Sequence, residues 1–223
     1  MADKVHKFIA QSGYTSRRKA EGLVEEGRVT INGRPAEIGD RVSFTDEVRV
    51  DETPVAPPQS YTYLKLYKPA GYVCTHRQFS GEKSVFELLP QRFHSLSLAG
   101  RLDKDSRGLV LSSDDGAWIN EMTHPSYNHE KEYEVTLSAP APGRDTKRML
   151  ETGMYQEGDF LQAAEVTPLN SDTFRLVLTY GKKRHIRRMF EALGYTVSDL
   201  LRTRVGTYTS QGLEEGEFEE ISV

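Results

Sequence analysis

An acidic loop and a basic helix carry the side chains of this sequence best suited to chemistry. In Gly100-Arg101-Leu102-Asp103-Lys104-Asp105-Ser106-Arg107-Gly108, two glycines bracket a charged segment that runs into the apolar Leu109-Val110-Leu111. A carboxylate there is held against a rigid strand, a position where acids are often functional, although Asp at such places more commonly only makes turns. Asp103 and Asp105 also suit a glycosidase, which needs two carboxyl groups roughly 5–9.5 Å apart. Arg101, Lys104 and Arg107 oppose that use, because neighbouring cations favour ionised carboxylates where one has to stay protonated. The second stretch, Gly181-Lys182-Lys183-Arg184-His185-Ile186-Arg187-Arg188-Met189-Phe190, reads as a basic helix. At ~100° per residue, Ile186, Met189, Phe190 and Leu193 share an apolar face, Arg187 flanks it and Arg188 lies opposite. Arg187 is therefore expected to turn inward and hold Asp103 in a bidentate, charge-assisted pair.

A third cationic cluster, Arg17-Arg18-Lys19, falls in the first turn of a helix that Ser16 can cap. The helix dipole is already positive at that end, so cations there carry a cost. Together with the free backbone amides they form a phosphate site, the plainer alternative being a solvated face.

Around these residues the elements separate into two domains. Val5, Phe8 and Ile9 have helical spacing, and Ala20, Leu23 and Val24 mark a second helix that Gly27 stops. Val29-Thr30-Ile31 then runs into Asn32-Gly33, a strong hairpin signal, with further short strands at 42–44 and 48–50. Residues 1–52 are expected to form a small α/β domain. Pro54, Pro57 and Pro58 make residues 53–60 the expected linker. Residues 61–223 read as an α+β domain on a mixed, largely antiparallel sheet, with strands at 61–66, 109–112, 133–137 and 174–178 and helices at 117–122, 146–151 and 185–193.

Composition sets outer bounds. The chain has 223 residues, 37% hydrophobic and 28% charged, with 29 Lys and Arg against 33 Asp and Glu for a net charge of −4. Enough apolar material is present for a core, and no apolar run approaches the ~20 residues of a membrane span. The single Cys74 and first residues without a leader pattern make the cytoplasm the expected compartment. One cysteine and scattered histidines give no four-ligand set, so no metal is expected. A net charge of −4 argues against nucleic acid only as an average. Residues 181–204 hold seven Lys and Arg against two acids, whereas Glu214, Glu215, Glu217, Glu219 and Glu220 come later, with no base after Arg204. A cationic face suited to phosphates and a remote acidic surface are expected from that separation.

Taken in order, Phe8-Ile9-Ala10, Ser16-Arg17-Arg18-Lys19-Ala20 and Glu26-Gly27-Arg28-Val29-Thr30-Ile31-Asn32-Gly33 resemble the S4 RNA-binding domain over about residues 4–50. The resemblance implies that Arg17, Arg18, Lys19 and Arg28 contact structured RNA. Gly100-Arg101-Leu102-Asp103, followed by Ser106, Gly108 and Leu109, resembles the signature of the pseudouridine synthases, in the branch that carries an S4 domain and modifies ribosomal RNA. Lys68-Pro69-Ala70-Gly71-Tyr72-Val73, Glu130-Lys131-Glu132-Tyr133 and Arg184-His185-Ile186-Arg187-Arg188-Met189 match that branch in the same order, so the resemblance spans nearly the whole chain.

The implied reaction breaks the C1′–N1 bond of a uridine, turns the uracil and rejoins it through C5, with no cofactor. Asp103 takes the place of the family's essential aspartate, attacking C1′ or acting as a base in a glycal route. Tyr133 takes that of the tyrosine stacking on the target base, Arg187 that of the basic active-site residue, and Leu200 that of an apolar residue in the substrate pocket. Arg101 is placed near the extracted nucleotide, while Lys182, Lys183, Arg184 and Arg188 are expected to meet phosphates. Lys68 to Cys74, Leu98-Ala99-Gly100 and Ser113-Asp114-Asp115-Gly116-Ala117-Trp118 look most like the small-subunit 16S enzyme. Ser16 to Ala20, His129 to Tyr133 and Arg202-Thr203-Arg204 are also similar to large-subunit members. The expectation is a monomeric 16S rRNA pseudouridine synthase acting on ribosomal RNA or an assembling subunit, away from membranes. The alternatives are a 23S enzyme of the same family and a non-catalytic ribosome-assembly factor.

Overall fold

Local signals close the first elements where the hydrophobic spacing predicts them. The computed structural model describes residues 2–58 and 60–223. The chain divides into two units, the first running to Thr62 with Asp114–Gly116 added, the second comprising Tyr63–Ser113 and Ala117–Val223. In the first unit, α1 (Val5–Gln11) precedes α2 (Arg17–Glu25), whose cap Ser16 accepts from the Lys19 amide at 3.4 Å. β1 (Val29–Ile31) and β2 (Arg34–Pro35) are joined by Asn32 and Gly33 at φ 51° and 82°, as a type I′ hairpin requires. β3 (Val48–Val50) pairs with β1, and β4 (Thr53–Val55) completes the order β2-β1-β3-β4. Val5, Phe8 and Ile9 of α1 and Ala20 and Val24 of α2 share a core with the inward valines of the sheet.

Two expectations shift here. The stretch read as a linker, 53–60, opens as an edge strand, where Pro54 lacks an N–H that no ladder needs. Gln59 lies outside the described residues. The strand expected at 42–44 covers only Arg41–Val42, which pairs with Asp3–Lys4, and Phe44 is exposed.

The second unit is built on a nine-stranded sheet. Its elements are β5 (Tyr63–Lys68), β6 (Arg107–Ser113), α3 (Gly116–Thr123), β7 (Lys131–Leu137), α4 (Gly143–Thr152), β8 (Glu165–Pro168), β9 (Thr173–Leu178), α5 (His185–Ala192), β10 (Val197–Val205) and β11 (Phe218–Glu220). The strands run β8-β9-β7-β10-β6-β5-β11, with Ser97–Ala99 added on β6 and Tyr208–Thr209 on β10. Every pairing is antiparallel except β6 with β10, which run parallel with Arg107 beside Leu201. The expected mixed, largely antiparallel sheet is what forms. β7 alternates as predicted, with Tyr133, Val135 and Leu137 buried and Glu134 exposed. Those residues pack with Phe174 and Leu176 of β9 and Met189 and Phe190 of α5. Burying each such side chain contributes about 1.5–3 kcal/mol.

The parallel pair brings the strand after α5 against the loop that carries Asp103. Gly108 sits at φ 109°, and a Cβ there would lie 2.3 Å from the Arg202 carbonyl oxygen, so only glycine lets β10 come this close to the start of β6. Three acids of the tail, each about half exposed, meet cations of other segments. β11 joins the sheet edge, Glu219 pairs with Lys65 at 2.7 Å, and Glu215 and Glu220 reach Arg107 and Arg92 at 3.4 Å.

Candidate active site

The loop that ends at β6 is fastened from below by a lysine. Lys68, fully buried at the end of β5, donates from Nζ to the carbonyls of Ser106 at 2.5 Å and Pro69 at 3.0 Å. Burial pushes its pKa down. The Gly71 amide donates to the Lys104 carbonyl at 2.7 Å, and the Ser106 amide closes a turn on the Asp103 carbonyl at 3.1 Å. Leu102 is buried beneath, its amide directed at Cys74 Sγ at 3.5 Å. Asp103 is exposed above this anchored base. In the sequence Lys68 stands only as part of a motif; its bracing role appears once β5 and the loop are seen together.

The sheet supplies the facing wall. Tyr133 on β7 lies across from Arg202 on β10, and Val135 across from Leu200. Opposed residues of an antiparallel pair share a face, so Tyr133, Leu200 and Arg202 project together. Their exposures are 8%, 6% and 3%. With Asp103 and Arg101 of the loop, and Lys182, Lys183 and Arg184 of the turn before α5, they line one cavity of about 940 Å³. Among its described lining residues Asp103 is the only acid, against seven Lys and Arg. Such a cavity favours an anionic ligand.

Arg187 departs from its expected role. It does not pair with Asp103: Nε lies 3.3 Å from Asp105 Oδ2, Nη2 donates to the Asp105 carbonyl at 3.1 Å, and Nη1 donates to the Val197 carbonyl at 2.9 Å. The turn closed at Ser106 sends the two carboxylates apart, Asp103 to the cavity and Asp105 to α5. Arg187 thus braces the loop through Asp105. Arg184, at φ 51° just before the helix, reaches the same carboxylate at 3.3 Å. With Asp105 held by two cations and absent from the described cavity wall, the paired-carboxylate glycosidase reading has no site.

Arg188 also differs from expectation. Its side chain is 12% exposed and pairs with Asp159 at 2.9 Å and Glu157 at 3.3 Å, besides donating to the Gln156 carbonyl. Lys182 reaches Asp159 at 3.3 Å. The helical wheel puts Arg188 toward solvent, but the hairpin Met154–Gln156 with Asp159–Leu161 covers that side of α5. Lys183 stays exposed at the cavity. His185 beside it is buried, its Nε2 accepting from the Gln162 amide at 3.2 Å; burial, then Arg188, push its pKa down to about 4.

In the first unit, Arg17, Arg18 and Lys19 are exposed along the first turn of α2. Arg28 is occupied, with Nε donating to Asp51 at 2.8 Å and Nη1 to Glu26 at 3.0 Å. No group of three His, Cys, Asp or Glu suited to a metal occurs among the described residues, and no helix there is long and apolar enough to cross a membrane.

A sheet that presents one carboxylate in a cationic cavity, in a chain that also carries a small helical module with an exposed basic turn, describes an RNA-modifying enzyme. Comparison with known proteins makes this specific. The RNA pseudouridylate synthase family matches residues 62–192 and the S4 domain matches residues 4–48. An RNA pseudouridine synthase of Aquifex aeolicus (strain VF5) is 35% identical over 98% of this chain and 92% of its own length. The ribosomal large subunit pseudouridine synthase B of Bacillus subtilis (strain 168) is 34% identical over 99% of this chain and 92% of its own. The dual-specificity RNA pseudouridine synthase RluF of Escherichia coli (strain K12) is 33% identical over 98% of this chain and 75% of its own. A solved structure of a pseudouridylate synthase aligns with a TM-score of 0.71 and 29% identity, covering 98% of this chain and 96% of that one. The chain belongs to the RNA pseudouridine synthase family and is an isomerase acting on RNA, with an S4 domain at its N-terminus.

The same relatives correct the small-subunit expectation. Those named for a ribosomal subunit carry the large one, in Bacillus subtilis, Yersinia pestis and Shigella flexneri alike. Of the short motifs that suggest 16S rRNA, Val73, Cys74, Ala99 and Gly100 line the cavity, whereas 113–118 are not among its lining residues.

Proposed function

We propose that the chain converts uridine to pseudouridine in large-subunit, 23S ribosomal RNA, with Asp103 as the essential carboxylate. The observation that carries this is the cavity, where Asp103 is the one acid among the described lining residues and shares the space with Tyr133 and Leu200. Likeness over nearly all of this chain to proteins named for the large subunit supports the target.

The target uridine leaves its stack to enter, at a cost of a few kcal/mol. Stacking on Tyr133, packing on Leu200 and phosphate contacts at Lys183, Arg101 and the α2 turn offset that cost. Asp103 then either forms a bond to C1′ as N1 departs or takes the C2′ proton in a glycal route, and both need the ionised carboxylate. Arg187 acts as a positioning residue, holding the loop through Asp105. The isomerisation moves no net electrons, so it calls for no redox cofactor, and the protein is proposed to act as a cytoplasmic monomer.

Incubating the purified protein with 23S and with 16S rRNA, followed by site-specific chemical mapping of pseudouridine, tests the proposal. Modification is expected in 23S rRNA alone, and Asp103→Asn is expected to lower the single-turnover rate by on the order of 10⁴-fold. Product in 16S rRNA alone, or an Asp103→Asn rate equal to wild type, would overturn it.

A further inference from the structure

Below the mouth of the cavity lie three cations whose hydrogen bonds go only to backbone carbonyls among the described residues. Lys68 is accounted for by the loop it braces. Lys131 donates from Nζ to the His129 carbonyl at 2.9 Å, and Arg202 donates from Nε to Leu109 at 2.8 Å and from Nη1 to Arg101 at 3.3 Å. Arg202 is 3% exposed, yet its Nη2 is buried with no hydrogen-bond partner. Lys131 carries three donor protons and uses one. A buried guanidinium donor left unpaired is costly and persists where something else offsets the cost.

Both side chains face the same space as the reacting groups. Arg202 lies opposite Tyr133, Lys131 comes two residues before Tyr133 on β7, and both line the cavity with Asp103 and Leu200. Burial, then the neighbouring Arg202, push the Lys131 pKa down, as expected of two cations held close.

We propose that Arg202 Nη2 and Lys131 Nζ receive the negative charge that moves onto the uracil ring when the glycosidic bond breaks. The inference rests on the pseudouridine synthase reading above. The electron pair of the C1′–N1 bond goes to N1 and spreads over O2 and O4. C1′ is meanwhile bonded to an Asp103 oxygen, or has become part of a glycal after loss of the C2′ proton. In either route the ring is anionic until C5 bonds to C1′, which releases the Asp103 carboxylate or, in the glycal route, returns its proton to C2′; the C5 proton then leaves as N1 gains one. Preorganised donors aimed at a developing charge stabilise it most when water is excluded. Depth selects this occupant over an RNA phosphate. A phosphate would have to shed its hydration to reach an atom this buried, whereas uracil enters neutral and becomes charged only during the reaction.

Arg202→Met and Lys131→Met are compared with wild type on 23S rRNA fragments carrying uridine or 5-fluorouridine at the target, measuring RNA affinity and the single-turnover rate of N-glycoside loss. The fluorine stabilises the departing anion by itself, so substrate chemistry replaces part of what the donors supply. RNA affinity is expected to hold within about twofold. The rate on uridine is expected to fall about 100-fold for Arg202→Met and about tenfold for Lys131→Met, the scale of losing one such donor. On 5-fluorouridine the loss should be several-fold smaller. Equal losses on both substrates, in either variant, would make the residue a structural brace and overturn the inference, as would a loss confined to RNA affinity, which marks a phosphate contact. The Lys131 variant keeps the test open if Arg202→Met does not fold. A wild-type protein that forms no pseudouridine on any rRNA fragment overturns the enzymatic reading itself, an outcome distinct from either.

Discussion

Two basic clusters of similar appearance in the sequence have opposite fates in the structure. Arg17, Arg18 and Lys19 stand exposed on one turn of α2, in a small unit whose core is made by other residues. Around α5, Lys182, Arg184, Arg187 and Arg188 pair with Asp159, Asp105 and Glu157, and their side chains hold a loop and a hairpin in place. The difference is one of available acids. Carboxylates brought in by distant segments convert a basic helix into a brace, and only cations beyond their reach remain for phosphate.

That contrast can be broken or sharpened by substitution. The largest effect is expected for Arg188→Met, which removes the guanidinium that holds Asp159, Glu157 and the Gln156 carbonyl to α5; urea denaturation should show a lowered midpoint. If stability were unchanged, α5 would be no more a brace than α2. Next comes His185, whose folded pKa of about 4 lies below its ordinary 6.5. The unfolded chain takes up the proton first, so this contribution is complete above pH 6.5 and is lost as pH falls toward 4. It amounts to about 3 kcal/mol at most. Denaturation of wild type and His185→Gln across that window should converge toward acid pH, and parallel curves would count against it. Smaller still is the triple change Arg17→Gln, Arg18→Gln and Lys19→Gln, expected to weaken RNA binding about tenfold and to flatten its salt dependence by roughly 0.9 per lost phosphate contact, with folding unaltered. Titration at several salt concentrations reads both. The smallest effect is predicted for Arg28→Gln, within about twofold in RNA affinity, because Asp51 and Glu26 already occupy that guanidinium.

Much of this architecture is legible in the sequence, and the reasons are local. Ser16, Gly27 and Asn32-Gly33 each act on backbone within a few residues, so the caps and the hairpin fall where those residue types predict them. The alternation in β7 and the apolar face of α5 are likewise properties of consecutive residues. Asp103 stands out through glycines that bend its own loop. Lys68 does not, because its carbonyl partners beyond Pro69 lie on another stretch of chain, and a lysine at a strand end carries no sign of being buried. Arg202 is visible only as part of a target-choice motif for the same reason. The helical wheel places Arg187 correctly on the flank of α5 but names the wrong carboxylate, since the wheel knows nothing of how the facing loop turns.

By itself the sequence determined the family, the two-domain order, most elements and the identity of the candidate carboxylate, because each is encoded in short-range pattern or in the order of motifs. Only the tertiary structure decided which charges meet. Coulombic pairing and desolvation depend on distance in space, and β6, β7 and β10 bring residues 103, 133 and 202 to one cavity although they are far apart along the chain. The net charge of −4 was therefore no guide to the site, whose polarity is fixed by which acids the fold keeps away from it.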